Sequence, residues 1–189
     1  MSPIRVIIVT DGDVCAQAAL ARATFELGLY FLSTSGGNPT RLSGSEIIKQ
    51  IIEAPYDPVV VMADDKGQRG MGPGEMVMEH IFKCPRLTVI GVVAVASDTR
   101  VRGIVPDASV TADGRIIKGP VNKDGWEEKP GNQRLEGDTV EILKKYPELF
   151  ILGCGDLGKM NGRDAVENGA MITRLCLEEI LARHKNCIK

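Results

Sequence analysis

The sequence predicts a single-domain, three-layer α/β sandwich, with a mainly parallel sheet covered on both faces and a small β-hairpin insertion. Three observations predict it. β-Branched runs that are apolar on both faces have the pattern of central parallel strands. These runs alternate with helical patterns about four times over short connections, as right-handed βαβ units require. A chain of 189 residues, 43% hydrophobic and 25% charged, makes one ordinary globular domain, residues 1–189, with a substantial core.

The first strand is Ile4-Arg5-Val6-Ile7-Ile8-Val9-Thr10, ending in Asp11-Gly12-Asp13. An Ala-rich helix from Val14 to about Leu27 follows, and Asp13 is well placed to cap it. Asp11 has no such duty, which makes it the stronger functional candidate. A short strand over Tyr30–Ser33 leads into Thr34-Ser35-Gly36-Gly37-Asn38-Pro39, where small polar side chains suit turns or a polar ligand. Ser43-Gly44-Ser45-Glu46 has the form of a capping box. The helix it opens carries an apolar stripe of Ile47, Ile48, Ile51 and Ile52, read as core.

Pro58-Val59-Val60-Val61-Met62 is the third strand, and it runs into Ala63-Asp64-Asp65-Lys66-Gly67-Gln68-Arg69-Gly70-Met71-Gly72-Pro73-Gly74. A loop rich in glycine that opens a helix offers backbone N–H groups to an anion, here at Arg69, Gly70, Gly72 and Gly74. The adjacent carboxylates Asp64 and Asp65 suit a cation. The same glycines also fit a plain surface turn, and their spacing matches no standard phosphate loop. A helix over Glu75–Lys83 follows, its His80 without a metal-ligand partner at helical spacing. Leu87–Ala96 is the next buried strand, ending in Ser97-Asp98-Thr99-Arg100.

Residues 101–136 change character. Two β-prone runs flank Asp113-Gly114, a hairpin signal, and Lys123-Asp124-Gly125-Trp126 starts a second turn. This section reads as a β-rich insertion or edge extension. Asp138-Thr139-Val140-Glu141 resembles a capping box that starts a helix stopping before Pro147. Leu149–Gly153 is the last strand, and it empties into Cys154-Gly155-Asp156-Leu157-Gly158-Lys159-Met160-Asn161-Gly162-Arg163-Asp164. The terminal helix is expected from about Ala165 to His184, with Asp164 and Glu167 at its cap and third positions. Its broad apolar face, with Met171 on the charged side, points to core packing or to a homo-oligomer.

Every strand therefore ends in a polar or glycine-rich loop, while prolines and ordinary turns guard the opposite ends. In open α/β sheets ligands gather at the carboxyl ends of strands, so the site belongs there, as in Rossmann-like and flavodoxin-like sheets. Its expected cation ligands are Asp11, Asp64, Asp65 and Asp156. Its expected ligand-binding groups are Asn38, Arg69, Gly70, Gly72, Gly74, Lys159 and Arg163. The sequence demands no cofactor; calcium or magnesium is the ion that such oxygens would suit.

Other classes are disfavoured. A net charge of −2 and 4% aromatic residues give neither a general pull towards nucleic acid nor a stacking platform. No apolar run approaches the ~18 residues of a membrane span. The chain enters an apolar run at once, without a charged leader, so a cytosolic location is expected. Five scattered cysteines with no CxxC pair and two distant histidines argue against a zinc site or disulfide framework.

The motifs TDGD, SGGNPTRLSG, APYDPVVVMADD, GPGE, VAVAS, GDTV and GDLGKMNGRD, in that order, resemble one family over Val9 to about Gly169. It is the soluble form of stage V sporulation protein AE of spore-forming Firmicutes. The resemblance implies an accessory or ligand-binding protein of the machinery that moves calcium dipicolinate in sporulation and germination. It implies partners among the other dipicolinate-channel proteins, contact with the membrane only through them, and a place in the forespore or spore beside the inner membrane. It brings no accepted enzymatic activity and no catalytic residues. On that view Asp11, Asp64, Asp65 and Asp156 face the cation while Arg69, Lys159 and Arg163 face carboxylates. A magnesium-dependent phosphoryl-transfer or nuclease-like enzyme of loosely Toprim-like type is the alternative. That pattern expects a Glu after the first strand and an Asp-x-Asp pair, where this chain has Asp11-Gly12-Asp13 and adjacent Asp64-Asp65.

Overall fold

The computed structural model describes residues 2–68, 70–99 and 101–187. Its strands are β1 (Ile4–Val9), β2 (Tyr30–Phe31), β3 (Val59–Met62), β4 (Leu87–Val95), β5 (Ala108–Val110), β6 (Ile116–Ile117) and β7 (Ile151–Cys154). Its α-helices are α1 (Val14–Leu27), α2 (Gly44–Ile52), α3 (Pro73–Lys83) and α4 (Met171–Cys187). The strands form one sheet in the order β2-β3-β1-β4-β7-β5-β6, parallel throughout except for the β5–β6 pair. The α/β sandwich with a mainly parallel sheet is thus as expected, although the strand order matches neither the Rossmann nor the flavodoxin sequence. The Asp113-Gly114 hairpin forms, and β5 pairs alongside β7 to extend that edge of the sheet.

Alternation along the strands builds two cores. Val6 and Ile8 of β1, with Val59 and Val61 of β3, face α2 and α3 through Ile47, Ile51, Met78 and Ile81. Ile7 and Val9, with Val60 and Met62, face α1 and α4 through Leu20, Ala23, Leu177 and Ile180. A strand buried on both sides has no polar face to spare. That is why β1 and β3 read as continuous apolar runs.

Local signals set most boundaries. Asp13 Oδ1 accepts from the backbone N–H of Cys15 and Ala16 at 2.8 and 2.9 Å, and Gly28 closes α1 at φ 66°. The Ser43–Glu46 capping box is complete, and Pro73 occupies the first turn of α3.

Two helices depart from expectation. The predicted helix before Pro147 is only a 3-10 segment, Glu141–Lys145. Its supposed cap residues serve other parts of the chain. Asp138 accepts from Gly67 N–H at 2.5 Å, and the Thr139 hydroxyl accepts from Asp65 N–H at 3.0 Å. The terminal helix begins at Met171, not Ala165, because Gly169 and Ala170 take φ of 85° and 47° and interrupt it after a short 3-10 turn. Asp164 does cap it, from seven residues upstream. β2 is also shorter than expected. Ser35 donates its hydroxyl to Leu32 O and accepts from Met62 N–H, drawing the chain into a 3-10 turn over Ser33–Ser35.

At Gly74 the first turn of α3 lies directly against the end of β3. An added Cβ would sit 2.5 Å from Asp64 N and 2.8 Å from Asp64 C, both backbone atoms that cannot yield cheaply. Gly74→Ala is therefore expected to lose about 1–3 kcal/mol in urea unfolding. A loss under about 0.5 kcal/mol would show that α3 can slide away from the strand.

Candidate functional site

The layers decide where a site can form. β1 passes into α1 on one face of the sheet, and its neighbour β3 passes into α3 on the other. Helices that leave adjacent strands on opposite faces open a crevice at the carboxyl ends between them. The crevice is present as a cavity of about 150 Å3. Thr10, Asp11 and Asp13 come from the end of β1, Asn38 from the loop after β2, and Asp64 from the end of β3. Val95, Ala96 and Ser97 end β4, while Asp156 and Lys159 follow β7. Lys123 and Asp138 complete the wall. A broader groove of about 580 Å3 shares Ala96, Ser97 and Lys123 with the cavity, so the two meet there.

Close backbone approach draws these loops together. Gly37 N–H donates to Gly12 O at 2.9 Å, and a Cβ on Gly12 would lie 2.1 Å from Gly37 O and 2.7 Å from Asp64 Cβ. The Thr40 hydroxyl accepts from Asp64 N–H at 2.8 Å, and the Thr10 hydroxyl accepts from Val95 N–H at 2.9 Å. Asp156 N–H donates to Lys123 O at 2.8 Å, which brings the second hairpin over the end of β7.

The carboxylates differ sharply. Asp11 is 7% exposed, and its Oδ1 accepts from Gly12 N–H at 2.6 Å and Asp13 N–H at 3.0 Å. Contrary to expectation, it therefore has a turn duty as well. Burial, aggravated by the neighbouring charges of Asp13, Asp156 and Asp64, pushes its carboxyl up to about 7 despite those N–H donors. Burial likewise raises Asp64 to about 6, with Asp138 and Asp65 adding to it and the 2.5 Å bond from Lys66 N–H opposing it. Asp13 and Asp156 both hold the Lys159 ammonium, which lies 3.1 and 3.2 Å from the two Asp156 oxygens. Burial wins at Asp156, whose carboxyl is raised. At Asp13 burial is outweighed by Lys159 and the helix N–H groups, and the carboxyl is lowered. The same two partners raise Lys159 against its own burial, so it stays charged. Lys123 pairs with Asp98 at 2.7 Å.

Of the residues expected from sequence, Asp11, Asn38, Asp64, Asp156 and Lys159 converge on the cavity. Asp65 turns away: its Oδ1 accepts from Gly74 N–H at 2.7 Å and Glu75 N–H at 3.3 Å, and its buried Oδ2 has no partner among the described residues. Gly72 makes room for that carboxylate, since a Cβ there would be 2.2 Å from Asp65 Oδ1. Gly74 packs on Asp64, and Gly70 is an open left-handed turn at φ 77°. None of these three glycines lines the cavity. Arg163 does not line it either; its guanidinium carbon stands 5.0 Å from the Trp126 ring centroid, in cation–π geometry. Arg69 lies outside the described residues. Asp13, Lys123 and Asp138 are the charged lining residues that were not expected. The i, i+2 spacing of Asp11 and Asp13 across a turn was a signal for the first; nothing local marks the other two.

Asp11, Asp13 and Asp156 each offer an oxygen within 4.8 Å of the others. That spread lies inside the roughly 5 Å that oxygens around one calcium can span. With Lys123 and Lys159 on the same wall, the cavity can meet a cation and an anion together.

Among the described residues, no helix is long and apolar enough to cross a membrane. No curated protein and no solved structure matches the chain. A family model, that of stage V sporulation protein AE1, matches residues 5–184, nearly the whole length. The resemblance read from the motifs is thereby borne out: the chain belongs to the stage V sporulation protein AE1 family, and its role lies in sporulation.

Proposed function

We propose that this chain serves sporulation by binding calcium dipicolinate at its strand-end cleft, as an accessory to the proteins that move that chelate. One observation carries the reading: a single cavity presents Asp11, Asp13, Asp64 and Asp156 beside Lys123 and Lys159. A chelate of a divalent cation with a dicarboxylate has both signs of charge at one place. The aspartates would complete the coordination of calcium, which takes about six to eight oxygens, and the lysines would take carboxylate oxygens that the ion leaves free. The cavity holds little beyond an ion, and the adjoining groove supplies room for the aromatic body. On this reading the protein works in the forespore or spore beside the inner membrane, and reaches the membrane through channel proteins.

The alternative of a magnesium-dependent phosphoryl-transfer enzyme draws less support. Its paired metal ligands would need Asp64 and Asp65 on one cavity, and Asp65 is committed to the first turn of α3.

Isothermal titration with calcium chloride, with dipicolinate and with their 1:1 mixture tests the proposal. The mixture is expected to bind at millimolar concentration or tighter. Asp156→Asn, which keeps the shape and removes a charge, is expected to weaken it at least about tenfold. Absence of heat from all three ligands at millimolar concentrations would sink the reading and leave a docking role.

A further inference from the structure

Among the described residues, Phe25 and Val14 are the most exposed large apolar side chains, at 85% and 77%, and the next, Val105, stands at 56%. Both lie on α1, eleven residues apart, which is three turns and about 16 Å along one face of the helix. Ala18 and Ala21, also exposed, fill the same stripe between them. α1 therefore has two apolar faces. Ala16, Ala19, Leu20 and Ala23 pack into the core, while Val14, Ala18, Ala21 and Phe25 face solvent on the opposite side. A surface helix of a monomer needs only the first of these faces. Single exposed apolar side chains are ordinary, but the two extremes of a fold on one stripe mark a contact surface.

The stripe fits a second copy of itself. Its steps of four, three and four residues suit helices that pack at a shallow angle, and they read the same from either end. With two α1 helices antiparallel about a two-fold axis, each Phe25 meets the partner's Val14 and each Ala18 the partner's Ala21. The alanines let the helix axes approach, and the larger side chains close both ends. Charge points to the same occupant. Along one flank Arg22 pairs with Glu26 at 2.7 Å, and Arg174 of α4 reaches the same Glu26 at 3.4 Å and Glu178 at 3.5 Å. At the other end of the stripe Asp13 is held by Lys159. The antiparallel register brings the Asp13 end of one helix to the Glu26 end of the other, so paired charges meet paired charges and the helix dipoles oppose. A strongly acidic or basic partner would find no unbalanced charge here to hold. A stripe three turns long is smaller than the roughly 800 Å2 per partner of a standard interface, which makes the pairing reversible.

We propose that the exposed stripe of α1 is a two-fold interface through which two copies of this chain pair antiparallel. Because α1 leaves the carboxyl end of β1, antiparallel α1 helices turn the two strand-end clefts in opposite directions. The dimer is then two-headed, whatever the clefts bind. Sedimentation equilibrium of the full chain, from about 10 µM to about 1 mM, tests the pairing. The apparent mass is expected to climb from 20.4 kDa towards twice that value. Phe25→Glu is expected to weaken the dimer at least about tenfold, while Val105→Glu, on the insertion, leaves it unchanged. The register is read with a short bismaleimide in a Cys15→Ser/Cys187→Ser background. A mixture of Val14→Cys and Phe25→Cys chains is expected to give a cross-linked dimer that neither chain gives alone. A mass fixed at 20.4 kDa at every concentration overturns the self-pairing and leaves the face to a different protein. A dimer that Phe25→Glu leaves intact overturns the interface. Cross-linking of Val14→Cys chains with one another overturns the antiparallel register and the two-headed arrangement with it.

Discussion

Asp164→Ala is expected to destabilise the protein by about 3–5 kcal/mol, the range for breaking a buried, fully bonded charged group. Asp164 has no exposed surface and accepts four hydrogen bonds. Its Oδ1 takes Ile172 N–H at 2.8 Å and Thr173 N–H at 2.9 Å, so it satisfies the open N-terminus of α4. Its Oδ2 takes Gly158 N–H at 2.8 Å and the Thr173 hydroxyl at 2.6 Å, which fastens the Lys159 loop to the same helix. Alanine strands two buried N–H groups and a third that is half-buried, each buried one worth about 1–3 kcal/mol when unpaired, though relaxation keeps the sum below simple addition. Asp164→Asn should fall between, because its amide N cannot accept. Urea unfolding reads the effect as a lower midpoint at unchanged slope. Glu167→Ala, on the exposed 3-10 turn nearby, should stay within about 0.5 kcal/mol of wild type. An Asp164→Ala loss under about 1 kcal/mol would mean that water replaces the carboxylate.

Asp164 also shows what the sequence could and could not disclose. Its capping role was legible from the three-residue spacing to Glu167, yet the helix it caps starts six residues later than that spacing implies. The cap works through space across Gly169 and Ala170, not along the local turn. Where a signal is local, the reading holds: Asp13 before α1, the Ser43–Glu46 box and the Asp113-Gly114 hairpin all form. Asp138 and Thr139 mislead because residue types that cap helices also bind any loop brought to them, here Gly67 and Asp65. The site divides in the same way. Asp11, Asp64 and Asp156 were legible because parallel strands deliver their carboxyl ends to one edge. The Asp64–Asp65 pair could not serve one cavity, since successive residues leaving a strand point to opposite sides. Lys123 was invisible because it reaches the cleft on a hairpin whose path no periodicity records.

Asp11→Asn is expected to make the protein more stable at pH 8 by about 2 kcal/mol, and by less than half of that at pH 5. The sign follows from the direction of the shift. Asp11 has its folded value raised from 3.8 to about 7, chiefly by burial, so the native state binds its proton more readily than the unfolded chain does. Stability therefore falls as pH rises between those two values, and the whole penalty is present above the upper one. A carboxyl moved that far stands for at most about 4 kcal/mol, and local relaxation around the charged form trims it. Asp64 and Asp65, raised to about 6, slope the same way over a narrower window. Asp13 is lowered, so its contribution is present above its unfolded value, fades only as pH falls further, and leaves the interval from 5 to 8 undisturbed. Asparagine keeps an oxygen for Gly12 and Asp13 N–H and removes the charge that burial opposes. Thermal or urea unfolding at several pH values would show a flattened profile for the variant between pH 5 and 8. A variant less stable than wild type at pH 8 would show that the ionised carboxylate is held favourably, and that the turn depends on its charge. A carboxylate that destabilises its own fold near neutral pH marks a place kept for a partner of opposite charge. The same penalty that Asp11→Asn removes is the one a cation against Asp11 would offset. Calcium as the chelate should therefore raise wild-type stability more at pH 8 than at pH 5, and should leave Asp11→Asn nearly unmoved.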